Sequence, residues 1–114
     1  MLSVVVPAYN EETHLPRCLQ ALKEQDYPGD FEVIVVDNGS SDRTAEVARA
    51  QGARLVSCPR KGVVHARAAG VVAARGDIVV QTDADTRVPR DWLSRIAASF
   101  ARHSDGGYAL IYAL

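Results

Sequence analysis

The chain has 114 residues, 47% of them hydrophobic and 24% charged. That length excludes a multidomain protein, so residues 1–114 are read as a single domain with enough apolar content for one core and none of the bias of a disordered segment. Thirteen basic and 14 acidic side chains leave a formal charge of −1, without the basic excess of a general nucleic-acid binder.

The charge is unevenly spread. Residues 1–57 carry 5 basic and 9 acidic side chains, and residues 58–114 carry 8 and 5, a split that suits a bound group needing both signs. A membrane-spanning helix needs about 20 consecutive apolar residues, and no such run is present. The N-terminus has no basic stretch leading into a long apolar segment, so no signal peptide is read there. Cys18 and Cys58 form no C-x-x-C motif, and with His14, His65 and His103 scattered they build no metal site. Two reduced, packed thiols and a cytoplasmic location are expected.

Leu2–Val6 is short, β-branched and ends at Pro7, the pattern of a buried strand. Asn10 is placed to cap the following helix, with Glu11 and Glu12 in its first turn. Leu15, Cys18, Leu19 and Leu22 repeat at helical spacing to about Asp26, and Pro16 falls early, where a missing N–H costs least. Tyr27–Asp30 reads as a turn. Phe31–Val36 is a second strand ending at Asp37, and Ser40 or Ser41 is expected to cap the helix that stops at Gly52.

Arg54–Ser57 makes a third, shorter strand. Residues 63–75 form an Ala- and Val-rich helix whose small face (Ala66, Gly70, Ala73, Ala74) lets it lie close to a sheet, with Gly76 closing it. Asp77–Thr82 is a fourth strand ending at Asp83. Pro89 opens a helix with Trp92, Leu93, Ile96 and Phe100 on one side, Gly106-Gly107 breaks it, and Tyr108 to Ala113 fits a last strand. Strands and helices alternating at this spacing predict an α/β fold, a mainly parallel sheet covered on both faces. Ligands of such sheets sit beyond the carboxyl ends of the strands, where the strand order reverses.

Three of those ends are rich in oxygen ligands: Pro7-Ala-Tyr-Asn-Glu11, Asp37-Asn-Gly-Ser-Ser-Asp42 and Asp83-Ala-Asp85. Carboxylates two apart on an extended segment point the same way. Asp83 and Asp85 can share a hard cation, Mg²⁺ or Mn²⁺, and leave positions open for a diphosphate. The competing reading makes them turn and capping residues before the helix at Pro89. Asp37 can accept a hydrogen bond from a ligand ring N–H or ribose hydroxyl, or close its own Asx turn. Asp42 fits the first turn of its own helix. Tyr9 suits either a base platform or half-buried packing, and Glu11 either a ligand or the helix dipole. Arg60, Lys61 and Arg67 bring positive charge for phosphate oxygens, Arg67 being the better placed. His65 reads as a surface or packed histidine, and Trp92 as core.

Val4-Val-Val-Pro-Ala-Tyr-Asn-Glu-Glu12, Val35-Val-Asp-Asn-Gly-Ser-Ser-Asp-Arg-Thr44, Lys61-Gly-Val-Val-His-Ala-Arg67 with Gly70, and Ala74-Arg-Gly-Asp77 leading to Thr82-Asp-Ala-Asp-Thr86 together resemble the family 2 glycosyltransferases of the GT-A fold, in order over residues 1 to about 100. The resemblance implies a three-layer α/β/α, Rossmann-like domain, a nucleotide-diphospho-sugar donor (UDP- or GDP-sugar), a divalent metal and inverting sugar transfer. It implies that Pro7, Ala8, Tyr9 and Glu11 line the nucleotide, that Asp37 contacts the base with Arg67 close by, that Asp83 faces the ribose and metal, and that Asp85 is the principal metal ligand. Ala68 stands where family members often carry Asn, removing one polar contact. Family catalytic domains are roughly twice this length or more, so the resemblance covers a donor-binding N-terminal part, truncated before the acceptor half and its carboxylate base. Whether such a chain is an enzyme is open. A non-catalytic assembly module that keeps the fold and forms a homo-oligomer, through Tyr108–Tyr112 as an apolar edge strand, is the alternative.

Overall fold

The computed structural model describes residues 1–103 and 109–112, with side chains described as far as Ala101. Nine elements alternate along the chain: β1 (Leu2–Ala8), α1 (Leu15–Lys23), β2 (Phe31–Asp37), α2 (Thr44–Ala50), β3 (Arg54–Ser57), α3 (Val63–Ala73), β4 (Ile78–Gln81), α4 (Trp92–His103) and β5 (Ala109–Tyr112). The strands form one parallel sheet in the order β3-β2-β1-β4-β5. The chain builds outward from β1 through β2 to β3, then returns to place β4 on the other side of β1. Strand order therefore reverses at β1, and the crevice beyond its carboxyl end is the place such sheets use for ligands.

Strand side chains alternate between faces, and both faces are covered. Val4, Val6 and Ala8 of β1 join Val35 and Val80 in a core with Leu15, Leu19 and Leu22 of α1, Ala48 of α2 and Trp92, Leu93 and Ile96 of α4. Val5, Ile34, Val36 and Val79 point the other way, toward Ala66 of α3 and Cys58. The result is the expected α/β/α sandwich, with α1, α2 and α4 on one side and α3 on the other.

The small face on α3 has a visible reason. A Cβ built on Gly70 would lie 2.2 Å from Val5 Cγ1 and 3.2 Å from Val36 Cγ2, so only glycine lets the helix settle at this height on the two central strands. Gly76 answers a different constraint from the expected helix stop. α3 already ends at Ala73 with Ala74 extended, and a Cβ on Gly76 would meet Met1 O at 2.5 Å.

Both expected helix caps are corrected. α1 starts at Leu15, with His14 at the cap position and no acidic residue in its first turn. Asn10 sits at φ 52°, a left-handed conformation that Asn tolerates, and its Oδ1 accepts from Ser41 N at 2.9 Å across the fold. Glu11 and Glu12 occupy the turn before the helix. At α2 neither Ser40 nor Ser41 caps; Arg43 holds the cap position, and Asp42 Oδ1 accepts from Thr44 N at 2.9 Å, the role expected of Asp42. α1 also stops at Lys23, short of Asp26, because Asp26 N bonds Arg90 O at 3.0 Å. β5 lies at one sheet edge, while Gly106-Gly107, Tyr108 and Ala113 lie outside the described residues.

The amino end of the sheet is fastened by Glu32. Its carboxylate accepts from the buried Ser3 hydroxyl at 2.6 Å, Arg75 N at 2.7 Å and Arg54 Nη1 at 3.3 Å. Burial pushes its pKa up, but the bonds from Ser3, Arg75 and Arg54 outweigh it and hold the carboxyl below its ordinary value. A depressed folded-state pKa contributes stability above the unfolded pKa of about 4.3 that is lost as pH falls through the folded value. Wild-type protein should therefore exceed Glu32→Gln in urea midpoint at pH 7, and the gap should shrink below about pH 4. A gap constant from neutral to acid pH would refute that role.

Candidate donor-binding site

Two loop tips meet above the carboxyl ends of β1 and β2, laced by polar contacts. Asn10 N donates to Ser40 Oγ at 2.9 Å, Glu11 N to Thr44 Oγ1 at 2.9 Å and Glu12 N to Asp42 Oδ2 at 3.2 Å. A third loop, Cys58–Gly62 after β3, is held by one side chain. Asn38, 6% exposed, donates from Nδ2 to Cys58 O and Arg60 O, both at 2.9 Å, and accepts from Gly62 N at 3.1 Å. Gly62 has φ 126°, which glycine alone adopts without strain. That turn starts α3 and aims Lys61 back over β1, where its Nζ lies 3.2 Å from Tyr9 Oη and 4.8 Å from the ring centroid.

These loops enclose a cleft of about 480 Å³, mostly apolar, lined by Pro7, Ala8, Tyr9, Asn38, Lys61 and the start of α3. Pro7, Ala8 and Tyr9 thus stand together on its wall. Tyr9 is 47% exposed, leaving ring surface for a planar ligand to stack on. Asn38, Lys61, Gly62, Val63 and Ala66 complete the lining. Of these, Asn38 had a legible signal as the partner of Asp37, yet in Asp-Asn-Gly-Ser it reads as a turn residue.

The remaining expected residues lie outside that wall. Asp37, the last residue of β2, uses Oδ1 to accept from Ser40 N at 3.0 Å, so its local turn role is real, and Oδ2 keeps its acceptor capacity for another partner. Glu11 Oε2 is 3.2 Å from His14 Nδ1. Arg67 follows Ala66 on α3 and is partly buried. Asp83, partly buried, and Asp85, exposed, occupy the turn after β4, which is closed by Thr86 N donating to Asp83 O at 3.0 Å. Gln81 is opposite Val5 in the ladder, which sets Asp83 about level with Pro7 at the rim.

The Cys18 thiol registers that rim electrostatically. Burial, followed by the fields of Asp85, Asp83 and Glu11, pushes its pKa up to about 12, and Sγ donates to Asp83 O at 3.6 Å. The fields of three carboxylates thus reach the thiol, which stays protonated and inert. Among the described residues no group of three or more His, Cys, Asp and Glu side chains is arranged to hold a metal. The Asp83–Asp85 pair supplies two hard oxygen donors, which fits Mg²⁺ or Mn²⁺ held by one or two carboxylates with ligand phosphate and water completing the shell. Just upstream, Gln81 and Thr82 are buried and put an amide and a hydroxyl without hydrogen-bond partners directly before the pair.

A parallel sheet with a ligand cleft at its switch point and a carboxylate pair after the neighbouring strand is the architecture of the GT-A nucleotide-diphospho-sugar transferases. The chain belongs to glycosyl transferase family 2, whose model matches residues 3–112. It is 37% identical over 101 residues to the glycosyltransferase AglE of Haloferax volcanii, covering 82% of this chain and 33% of that protein. The mannosyltransferase PcManGT of Pyrobaculum calidifontis, solved with GDP-Man and Mn²⁺, superposes over 88% of this chain and 32% of its own with a TM-score of 0.82 and 38% identity. Glucosyl-3-phosphoglycerate synthase of Mycobacterium tuberculosis, solved with Mn²⁺, UDP and glucosyl-3-phosphoglycerate, gives a TM-score of 0.75 and 34% identity over 88% of this chain and 39% of that one. The chain spans from about a third to under a half of the length of the curated relatives it matches. No helix among the described residues is long and apolar enough to cross a membrane.

Proposed function

We propose that residues 1–114 form the donor-binding part of a glycosyltransferase, taking a UDP- or GDP-sugar together with Mn²⁺ or Mg²⁺ for inverting transfer. The observation that carries the reading is the Tyr9–Asn38–Lys61 cleft where strand order reverses at β1, with the Asp83–Asp85 turn following the neighbouring strand β4. In this reading Tyr9 stacks on the nucleotide base and Asp37 Oδ2 accepts a base N–H or ribose hydroxyl. Lys61 and Arg67 lie toward phosphate oxygens. Asp83 and Asp85 hold the cation, Asp85 as the principal ligand. Bound there, a divalent cation would supply positive charge to offset that of a departing nucleoside diphosphate. The proteins solved with GDP-Man, UDP and Mn²⁺ support the donor class and the metal.

Calorimetry with UDP and with GDP, each with and without Mn²⁺, tests this. One of the two nucleotides should bind tenfold or more tightly with the metal, and Asp85→Ala should erase that increment while sparing the metal-free affinity. Affinity indifferent to Mn²⁺ in the intact chain would overturn the reading.

A further inference from the structure

On the α1 side of the sheet a second cleft, about 370 Å³, lies between α1 and the β4–α4 connection. Arg17, Arg87 and Arg90 line it, with Gln20, Glu24 and Val88. The one carboxylate, Glu24, is engaged by Gln20 Nε2 at 2.8 Å. None of the three arginine side chains bonds or pairs with another side chain among the described residues, whereas Arg54 and Arg95 pair with Glu32 and Asp91.

The walls are fastened together. Gln25 Nε2 donates to Pro89 O at 2.7 Å, and Gln25 Oε1 accepts from Leu93 N at 2.9 Å. Ser94 Oγ donates to Asp26 Oδ1 at 2.6 Å, and Val88 is buried beneath. Three exposed arginines therefore line one hollow whose backbone walls are braced, beside one occupied carboxylate. Like charges gathered this way repel, and a bound anion relieves the repulsion. Guanidinium forks match the oxygens of phosphate, which they bind in bidentate fashion.

We propose that this cleft binds a phosphate-bearing ligand, a phosphomonoester or diphosphate, at a site separate from the Asp83–Asp85 turn. Its volume leaves room for an organic group attached to the phosphate. The phosphate could be carried by a soluble molecule or by a lipid headgroup, and the chemistry at the arginines is the same for both.

The test titrates the 114-residue chain with inorganic pyrophosphate and with inorganic phosphate in EDTA, so that no cation bridges the Asp pair. Binding should weaken as NaCl is raised, fall about tenfold in Arg17→Gln and again in Arg87→Gln, and fall less far in Arg87→Lys, which keeps the charge and loses the fork. Asp85→Ala should leave it unchanged, which separates this site from the donor reading. Flotation with phosphatidylcholine vesicles, plain or doped with phosphatidic acid, distinguishes the sources. Arginine-dependent capture by the doped vesicles identifies a headgroup ligand, and capture by neither, with pyrophosphate binding intact, identifies a soluble one. Absence of millimolar binding, or binding indifferent to both glutamine variants while circular dichroism shows them folded, would overturn the proposal.

Discussion

Gly70→Val should be the most damaging single change in the α3 layer, costing about 3 kcal/mol or more of a total in the usual range of about 5–15. The first added atom, Cβ, arrives 2.2 Å from Val5 Cγ1 and 3.1 Å from Val5 Cγ2. Val5 is fully buried on the central strand, and its branched side chain has few rotamers to retreat into. The helix must lift, and its Ala66 loses contact with Val36 and Cys58. Gly70→Ala isolates the steric part. Alanine gains about 1 kcal/mol of helix propensity over glycine, so any net loss measures overpacking of about 1–3 kcal/mol. Pairing Gly70→Ala with Val5→Ala should recover part of the loss, as a favourable coupling of about 1 kcal/mol in urea melts. Strictly additive melts would show that the helix does not rest on Val5.

That contact also shows what could be read before the structure. The small face at Ala66 and Gly70 is written in the spacing, and so are the strand cores, because a period of two or of 3.6 in apolar residues survives in any context that buries one face. Arg54–Ser57 was legible to the residue because it is short and bounded. The helix starts were not. Asn10 and Ser41 are good caps by local preference, but here each is taken by the other, Asn10 Oδ1 receiving Ser41 N from a loop 31 residues away. A local rule has no access to such a partner, so tertiary contact overrode propensity. The site divides the same way. Pro7, Ala8 and Tyr9 were placed by topology, since strand ends in a parallel sheet face one crevice. The loop at Cys58–Gly62 was not, since its position depends on a buried amide whose targets lie 20 to 24 residues on.

Asn38 therefore carries the second large prediction. Its amide is the bolt between the end of β2 and the loop that presents Lys61, and it spends both donor hydrogens and its acceptor there. Asn38→Asp keeps the shape and reverses the chemistry. The carboxylate can still accept from Gly62 N, but its second oxygen now faces the carbonyls of Cys58 and Arg60, acceptor against acceptor, in a buried position. The buried Cys58 carbonyl and the partly buried Arg60 carbonyl lose the amide donor at about 1–3 kcal/mol each, so a total loss near 3 kcal/mol is expected. Asn38→Ala removes the same bonds without adding charge and should cost somewhat less. Released from Asn38, the 58–62 segment no longer fixes Lys61 against Tyr9. Amide exchange at Gly62 should then accelerate, and nucleotide affinity should fall even under conditions where the variant is fully folded. The Mn²⁺-dependent increment in nucleotide binding should persist, because the Asp83–Asp85 turn hangs from β4 and not from this loop. A variant that melts like the wild type, or that loses the metal increment while Gly62 stays protected, would place the bolt elsewhere.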